Sequence, residues 1–158
     1  MGYATFAVAD HFAVQYAPMQ LLQYAADHTS RIRLATLVLD NDFRHPTVLA
    51  KEAAILDLLS DGRLELGLGA GWLLQEYRQA GLAFQDGPTR AARLEEGVHL
   101  LKALFSDAPA LFSGRFYNVH ELYSRPKPLQ RPHPTLMIGG SRPRVLCFAA
   151  READIVWL

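Results

Sequence analysis

The chain has 158 residues, half of them hydrophobic, with 16 basic and 16 acidic side chains and a formal net charge of zero. That balance gives no electrostatic pull toward nucleic acid or an anionic membrane, and no apolar run approaches the ~20 residues a spanning helix needs. The single cysteine, Cys147, excludes an internal disulfide and points to a reducing cytoplasm, and Met1 opens no charged-then-apolar signal pattern.

Residues 4–11 (Ala-Thr-Phe-Ala-Val-Ala-Asp-His) read as a strand ending in Asp10 and His11. Strand parity puts His11 on the face of Thr5, Ala7 and Ala9, whose small side chains leave room beside it. Pro18–His28 reads as a helix. The stretch from Arg31 to Pro46 then runs from a strand, through polar Asp40, Asn41 and Asp42, into a helix start. Its apolar core, Leu34–Leu39, is short and partly β-branched, which suits a strand covered on both faces. Pro46 fits the first helical turn because its missing N–H would have no partner there. The helix is expected over Pro46–Leu59, with Val48, Glu52, Ile55, Leu56 and Leu59 at helical spacing and Asp61-Gly62 as its stop.

Arg63–Gly69 reads as a strand in which Leu64, Leu66 and Leu68 alternate with Glu65, Gly67 and Gly69. The clearest helix covers residues 90–105, with Leu94, Val98, Leu101 and Phe105 on one stripe. Residues 107–134, rich in Pro, Arg and His, read as a surface excursion, with Leu111–Tyr117 and Asn118–Tyr123 as a small hairpin around Gly114. Thr135–Ile138 is a strand stopped by Gly139-Gly140, Pro143–Ala153 a helix, and Ile155–Leu158 a final short strand. Five strands alternating with four helical connections predict an α/β domain over residues 1–158, with a parallel sheet and right-handed crossovers.

Parallel α/β folds place ligand chemistry at the C-terminal ends of their strands. Those ends carry Asp10-His11, the Asp40–Asp42 turn, Gly67-Leu68-Gly69-Ala70-Gly71 and Gly139-Gly140-Ser141. Glycines there let a ligand approach the backbone, or serve packing alone; the first run does not have dinucleotide-fingerprint spacing. The turn before the last helix offers N–H groups to a carbonyl or a phosphate. His28, His45, His99, His120 and His133 read as surface or capping residues, and no pair has metal-ligand spacing, so no metal is assigned.

Ala9-Asp10-His11, Thr29–Leu34, Arg44-His45-Pro46, the run Leu59–Trp72, Arg125–Gln130 and Ile138-Gly139-Gly140 follow one another in an order that resembles the luciferase-like monooxygenase superfamily, most of all its F420-dependent oxidoreductases. The resemblance implies a (β/α)8 TIM barrel holding an isoalloxazine-type ring of F420, or alternatively FMN, at its strand ends. It implies that His11 lies near the reactive ring carbon and Asp10 near the ring edge, as the catalytic pair. An imidazole titrating near neutrality suits removal of a hydroxyl proton during hydride transfer from a carbinol. It also implies a non-proline cis peptide at Leu37–Val38, preceded by Thr36, backing the ring. The remaining implied cofactor contacts are Gly69, Gly71, Gln75, Gly139 and Gly140. Where many deazaflavin dehydrogenases carry a catalytic glutamate, this chain has Trp72; Gln75 and Glu76 follow on a helix turn, to contact the ring or only to start the helix.

Such barrels need ~250 residues. The chain is expected to begin near the end of the first helix and to end inside the sixth strand, a partial barrel of about five parallel strands. Two function classes follow: a two-electron oxidoreductase acting on a small molecule, or a truncated non-catalytic form serving binding or assembly. Five strands cannot close a barrel, so a homo-oligomer or completion by another chain is expected. Tyr77, Phe84 and the 107–134 excursion are the expected local walls of a substrate pocket.

Overall fold

A computed structural model describes residues 2–13 and 15–158 of the chain. Strands β1 (Thr5–Val8), β2 (Arg33–Thr36), β4 (Leu64–Gly69), β7 (Thr135–Gly139) and β8 (Ile155–Trp157) pair in that order, all in parallel. A two-residue strand, β3 (Leu39–Asp40), continues the line of β2 along the upper half of β4. Helices α1 (Pro18–His28), α2 (Pro46–Leu59), α4 (Gly87–Phe105) and α5 (Pro143–Glu152) connect the strands, and a short α3 (Leu74–Ala80) follows β4. The architecture is therefore the expected α/β one, with five parallel strands in an unclosed sheet.

The alternation in β4 decides which face is which. Leu64, Leu66 and Leu68 are fully buried in one cluster with Leu22, Leu49, Ala53, Leu94, Val98 and Leu101 of the helices. Each such leucine contributes about 1.5–3 kcal/mol by leaving water. The opposite face carries Glu65, Gly67 and Gly69, whose register partners on β7 are Thr135, Met137 and Gly139. At the N-terminal end of that face Arg33 donates to Glu65 at 2.5 Å and to Thr135 at 3.2 Å, which leaves the C-terminal end free for other chemistry.

Several element boundaries differ from expectation for local reasons. β1 stops at Val8 because Asp10 leaves the ladder to accept from the Asp40 N–H and from Arg44. The run Leu34–Leu39 is broken by a cis peptide at Leu37–Val38, where the resemblance placed one. α4 begins at Gly87, since Asp86 accepts from the Thr89 N–H at 2.7 Å and Pro88 occupies the first turn. On α2 the outward side carries the expected stripe: Val48, Ile55 and Leu59 are exposed, while Leu49, Ala50, Ala53, Ala54 and Leu56 are buried. The alanines let α2 approach the sheet and α4 closely, so the smaller residues, not the larger, mark the core side.

The excursion folds as an antiparallel pair, β5 (Ala110–Ser113) and β6 (Asn118–Leu122). Glu96 of α4 accepts from the backbone N–H groups of Arg115 and Phe116, both at 2.9 Å. At its far end, buried Asp57 of α2 accepts from the Gln130 N–H at 2.9 Å and from its side-chain amide at 2.6 Å.

Thr36, the last residue of β2, turns its hydroxyl into the ladder. Its fully buried hydroxyl accepts from the Gly67 N–H at 2.7 Å and donates to the Gly67 carbonyl at 2.9 Å, bridging β2 and β4 where the ladder lapses. Thr36→Val keeps the shape but leaves both Gly67 groups unpaired. At about 1–3 kcal/mol per buried unpaired group, the expected loss for two groups is about 2–6 kcal/mol. Urea unfolding at matched protein concentration checks it, and an unchanged midpoint would contradict this role.

Candidate functional site

A cavity of about 920 Å³ opens at the C-terminal ends of the strands. Of the ten residues singled out from sequence, eight line it: Asp10, His11, Leu37, Val38, Gly69, Gly71, Gly139 and Gly140. Thr36 is committed to the ladder, and Gln75 is exposed on α3 outside the lining, because the helix turns the next residue, Glu76, inward instead. Tyr77, Phe84 and the 107–134 excursion do not line the cavity either. Tyr77 is 1% exposed and packed between Phe43 and Phe84, with ring centroids 5.3 and 4.8 Å away. Further lining comes from Trp72, which stands where similar dehydrogenases carry a glutamate, and from Leu73, Gly87, Pro88, Arg90 and Arg142, residues at helix starts and loops that no sequence pattern marks.

Gly69 and Gly139 make room for Val38 first, whereas at Gly67 the Thr36 carbonyl stands closer still. A Cβ at Gly69 would sit 2.8 Å from one Val38 methyl, and Cβ atoms at Gly67 and Gly139 would each sit 3.0 Å from a Val38 methyl. Val38 therefore occupies a notch that only glycine on β4 and β7 provides, and its isopropyl group becomes part of the cavity lining. Gly71 has a different reason: its φ is +74°, and a Cβ there would meet the Asp40 carboxylate at 2.5 Å.

Three carboxylates converge beside the cavity. Asp10 is held by Arg44 at 2.5 and 3.1 Å. Asp42 is held by Arg93 at 2.8 Å. Asp40 has no cation in contact among the described residues; it accepts from the Tyr77 hydroxyl at 2.7 and 2.8 Å and from the Asp42 N–H at 2.9 Å. Burial pushes the Asp40 carboxyl up to about 6, opposed by the Tyr77 and Asp42 hydrogen bonds and assisted by the charges of Asp42 and Asp10. The Tyr77 phenol is pushed up as well, by burial and by the carboxylate it donates to.

Because the folded Asp40 binds its proton more tightly than the unfolded chain does, its contribution to stability falls as pH rises from about 4 to about 6 and stays low above that. The difference amounts to about 3 kcal/mol at most, from 1.36 kcal/mol per pKa unit. Asp40→Asn keeps an acceptor for Tyr77 and removes the charge. We expect it to be more stable than the parent at pH 7, with the gap closing toward pH 4. Melts across that range check the sign; a gap that widens toward acid would reverse the argument.

His11 sits at the inner rim. Its Nδ1 is 2.9 Å from Glu76 Oε2, and the other Glu76 oxygen accepts from the Phe12 N–H at 3.1 Å. The edge of Trp72 meets the imidazole at 6.1 Å between centroids, nearly perpendicular. His45, by contrast, caps α2 by accepting from the Thr47 N–H, and His28 bonds the Tyr24 carbonyl. Sequence left Gln75 and Glu76 undecided between ring contact and helix start; in the structure Glu76 turns inward to His11 and Phe12 while Gln75 faces solvent.

A flat, largely apolar tricyclic ring fits this cavity: its volume lies in the range of small-ligand sites, Leu37 and Val38 supply apolar surface, and polar Asp10 and His11 stand at the edge. The chain is 37% identical over 157 residues to an F420-dependent glucose-6-phosphate dehydrogenase of Kineococcus radiotolerans, covering 93% of this chain and 45% of that one. It is 31% identical over 126 residues to an FMNH2-dependent dimethylsulfone monooxygenase of Pseudomonas putida, covering 80% of this chain and 34% of that protein. A crystal structure of a monooxygenase from Streptomyces bottropensis superposes with a TM-score of 0.87 at 29% identity, over 98% of this chain and 48% of its own. The chain thus spans half or less of the length of these relatives. The family model of the luciferase-like monooxygenases matches residues 1–158, and the chain belongs to that family.

Proposed function

We propose that the chain forms the ring-binding portion of a two-electron oxidoreductase that uses coenzyme F420 and acts on a small molecule. The observation that carries this reading is the convergence of His11, Asp10, Leu37, Val38, Gly69, Gly71, Gly139 and Gly140 on one cavity at the strand ends. The similarity to F420-dependent dehydrogenases favours F420 over FMN. Bound there, the deazaflavin would supply two-electron hydride chemistry. The chain's own residues then divide the work. Leu37 and Val38 present a dry face, which keeps water from the reacting atoms. His11 takes the hydroxyl proton of the substrate through its imidazole. Asp10, fixed by Arg44 and by the Asp40 N–H, sets the position of the strand end that carries His11. The balanced charge and lone cysteine suit a reducing cytoplasm.

A second reading, an FMN-dependent monooxygenase, is favoured by the similarity to the dimethylsulfone enzyme and uses the same cavity. Absorbance titration of the purified chain with F420 and separately with FMN tests both. A perturbed F420 spectrum with none for FMN supports the first, the reverse supports the second, and binding of neither overturns both.

A further inference from the structure

We infer that Glu76 is the positioning residue for His11, holding the imidazole in the tautomer that carries its proton on Nδ1 and keeps its lone pair on Nε2. The inference rests on the reading of His11 as the proton acceptor, and it extends that reading to a residue 65 positions away.

The argument is one of donors and acceptors. Glu76 lies in the first turn of α3 and is 7% exposed, while its neighbours Gln75 and Arg78 face solvent. Among the described residues no lysine or arginine pairs with it; its ion-pair partner is His11 alone. The Phe12 backbone N–H is a donor in every protonation state, so Oε1 is committed as its acceptor. An ionised carboxylate only accepts, so Oε2 at 2.9 Å requires that Nδ1 donate. Nε2 is then the ring's basic nitrogen, and His11 lines the cavity. Trp72 lies nearly perpendicular to the imidazole, 6.1 Å away between ring centroids. A base presented this way is preorganised for proton transfer, whereas the opposite tautomer would place an N–H where the lone pair is needed.

Glu76→Gln tests this with an unusual sharpness, because an amide has one acceptor and one donor end. Phe12 N–H claims the acceptor, which leaves the amide NH2 facing Nδ1 and makes Nδ1 the acceptor. The proton moves to Nε2. Magic-angle-spinning 15N NMR of the histidine-labelled full chain reads the tautomer in any assembly state, with the His11 signal identified by its loss in His11→Ala. The expected result is an Nδ1–H imidazole in the parent and an Nε2–H imidazole in Glu76→Gln. In the F420-loaded protein, kcat should fall about 10²–10⁴-fold in Glu76→Gln with KM nearly unchanged. Glu76→Asp, which retains two acceptor oxygens, should keep the parent tautomer and regain part of the rate.

An Nε2–H imidazole in the parent, or an Nδ1–H signal that survives in Glu76→Gln, overturns the inference. The parent spectrum alone decides this if Glu76→Gln does not fold. Full turnover in His11→Ala overturns the assignment of His11 as proton acceptor and removes the catalytic purpose of the pair. It is told apart from failure of the pairing itself because the tautomer would still be as stated.

Discussion

His11→Ala is expected to lower turnover by about 10²–10⁴-fold, the range for loss of a positioned proton-transfer group, and to change cofactor affinity far less. The asymmetry follows from how the cavity is built. A bound ring would touch Leu37, Val38 and the backbone at Gly69, Gly71, Gly139 and Gly140, so removing one imidazole subtracts one contact among many. The proton has fewer options. His28 and His45 are engaged outside the cavity, and Asp10 is held by Arg44 and by the Asp40 N–H. Asp40 borders the cavity, but its carboxylate oxygens are occupied by Tyr77 and the Asp42 N–H. Glu76 also lines the cavity and loses its Oε2 partner with the imidazole, so it is the one described carboxylate left to substitute in part, which sets the lower end of the expected loss. Steady-state kinetics alongside a cofactor titration separates the two effects, and a variant with parental kcat would remove His11 from the mechanism.

A second large effect concerns the ends of the sheet. Among the described residues β1 pairs only with β2, and β8 only with β7, so each exposes a row of unpaired backbone donors and acceptors. Apolar surface lies beside those edges: Phe6 on β1, Val156 and Trp157 on β8, and Leu158 after it are all exposed. The outward stripe of α2, Val48, Ile55 and Leu59, adds a further uncovered apolar strip. Burying three or four such side chains at about 1.5–3 kcal/mol each is comparable with the whole stability of a domain, about 5–15 kcal/mol. We expect the 158-residue chain to self-associate, or to pair with a chain that supplies further strands. Sedimentation velocity over a tenfold range of concentration checks this. A monodisperse monomer that melts cooperatively with cofactor bound would contradict it.

The sequence carried most of the fold because its punctuation is local. Pro18 and Pro46 open helices, Asp61-Gly62 closes one, and the leucine alternation of β4 is read directly from period-two spacing. α3 escaped notice as an element because seven residues give too short a pattern, and its start at Leu74 has no capping side chain. The strand ends pointed to the right cavity, since parallel strands collect their C-termini on one side. What stayed hidden were pairings across the fold. Glu76 meets His11 across 65 positions and Tyr77 meets Asp40 across 37, and no spacing rule links them. The glycines read as positions either for ligand approach or for packing: they line the cavity, and at Gly69 and Gly139 the first neighbour a Cβ would meet is Val38. Tyr77 and Phe84 read as pocket wall by their size, yet they pack against one another beneath Arg90.

The hydrogen bonds between Asp57 and Gln130 have a kinetic meaning beyond the stability they add. Partner strands β1 and β2 meet across 28 positions, as Thr5 and Arg33. β4 and β7 must meet across 70, as Glu65 and Thr135. Loop-closure entropy grows by only about 0.6 kcal/mol for each doubling of length, so this pairing and the Asp57–Gln130 contact, which spans 73 positions, cost nearly the same to begin and are expected to form together. Once Gln130 has docked on α2, only five positions separate the anchored point from Thr135. The search for register then shrinks from a long loop to a short one, and β7 is delivered beside β4 with α5 and β8 behind it. A carboxylate outside the cavity is thereby expected to help hold the register of β7, and with it the wall from Gly139 to Trp157, as the chain folds.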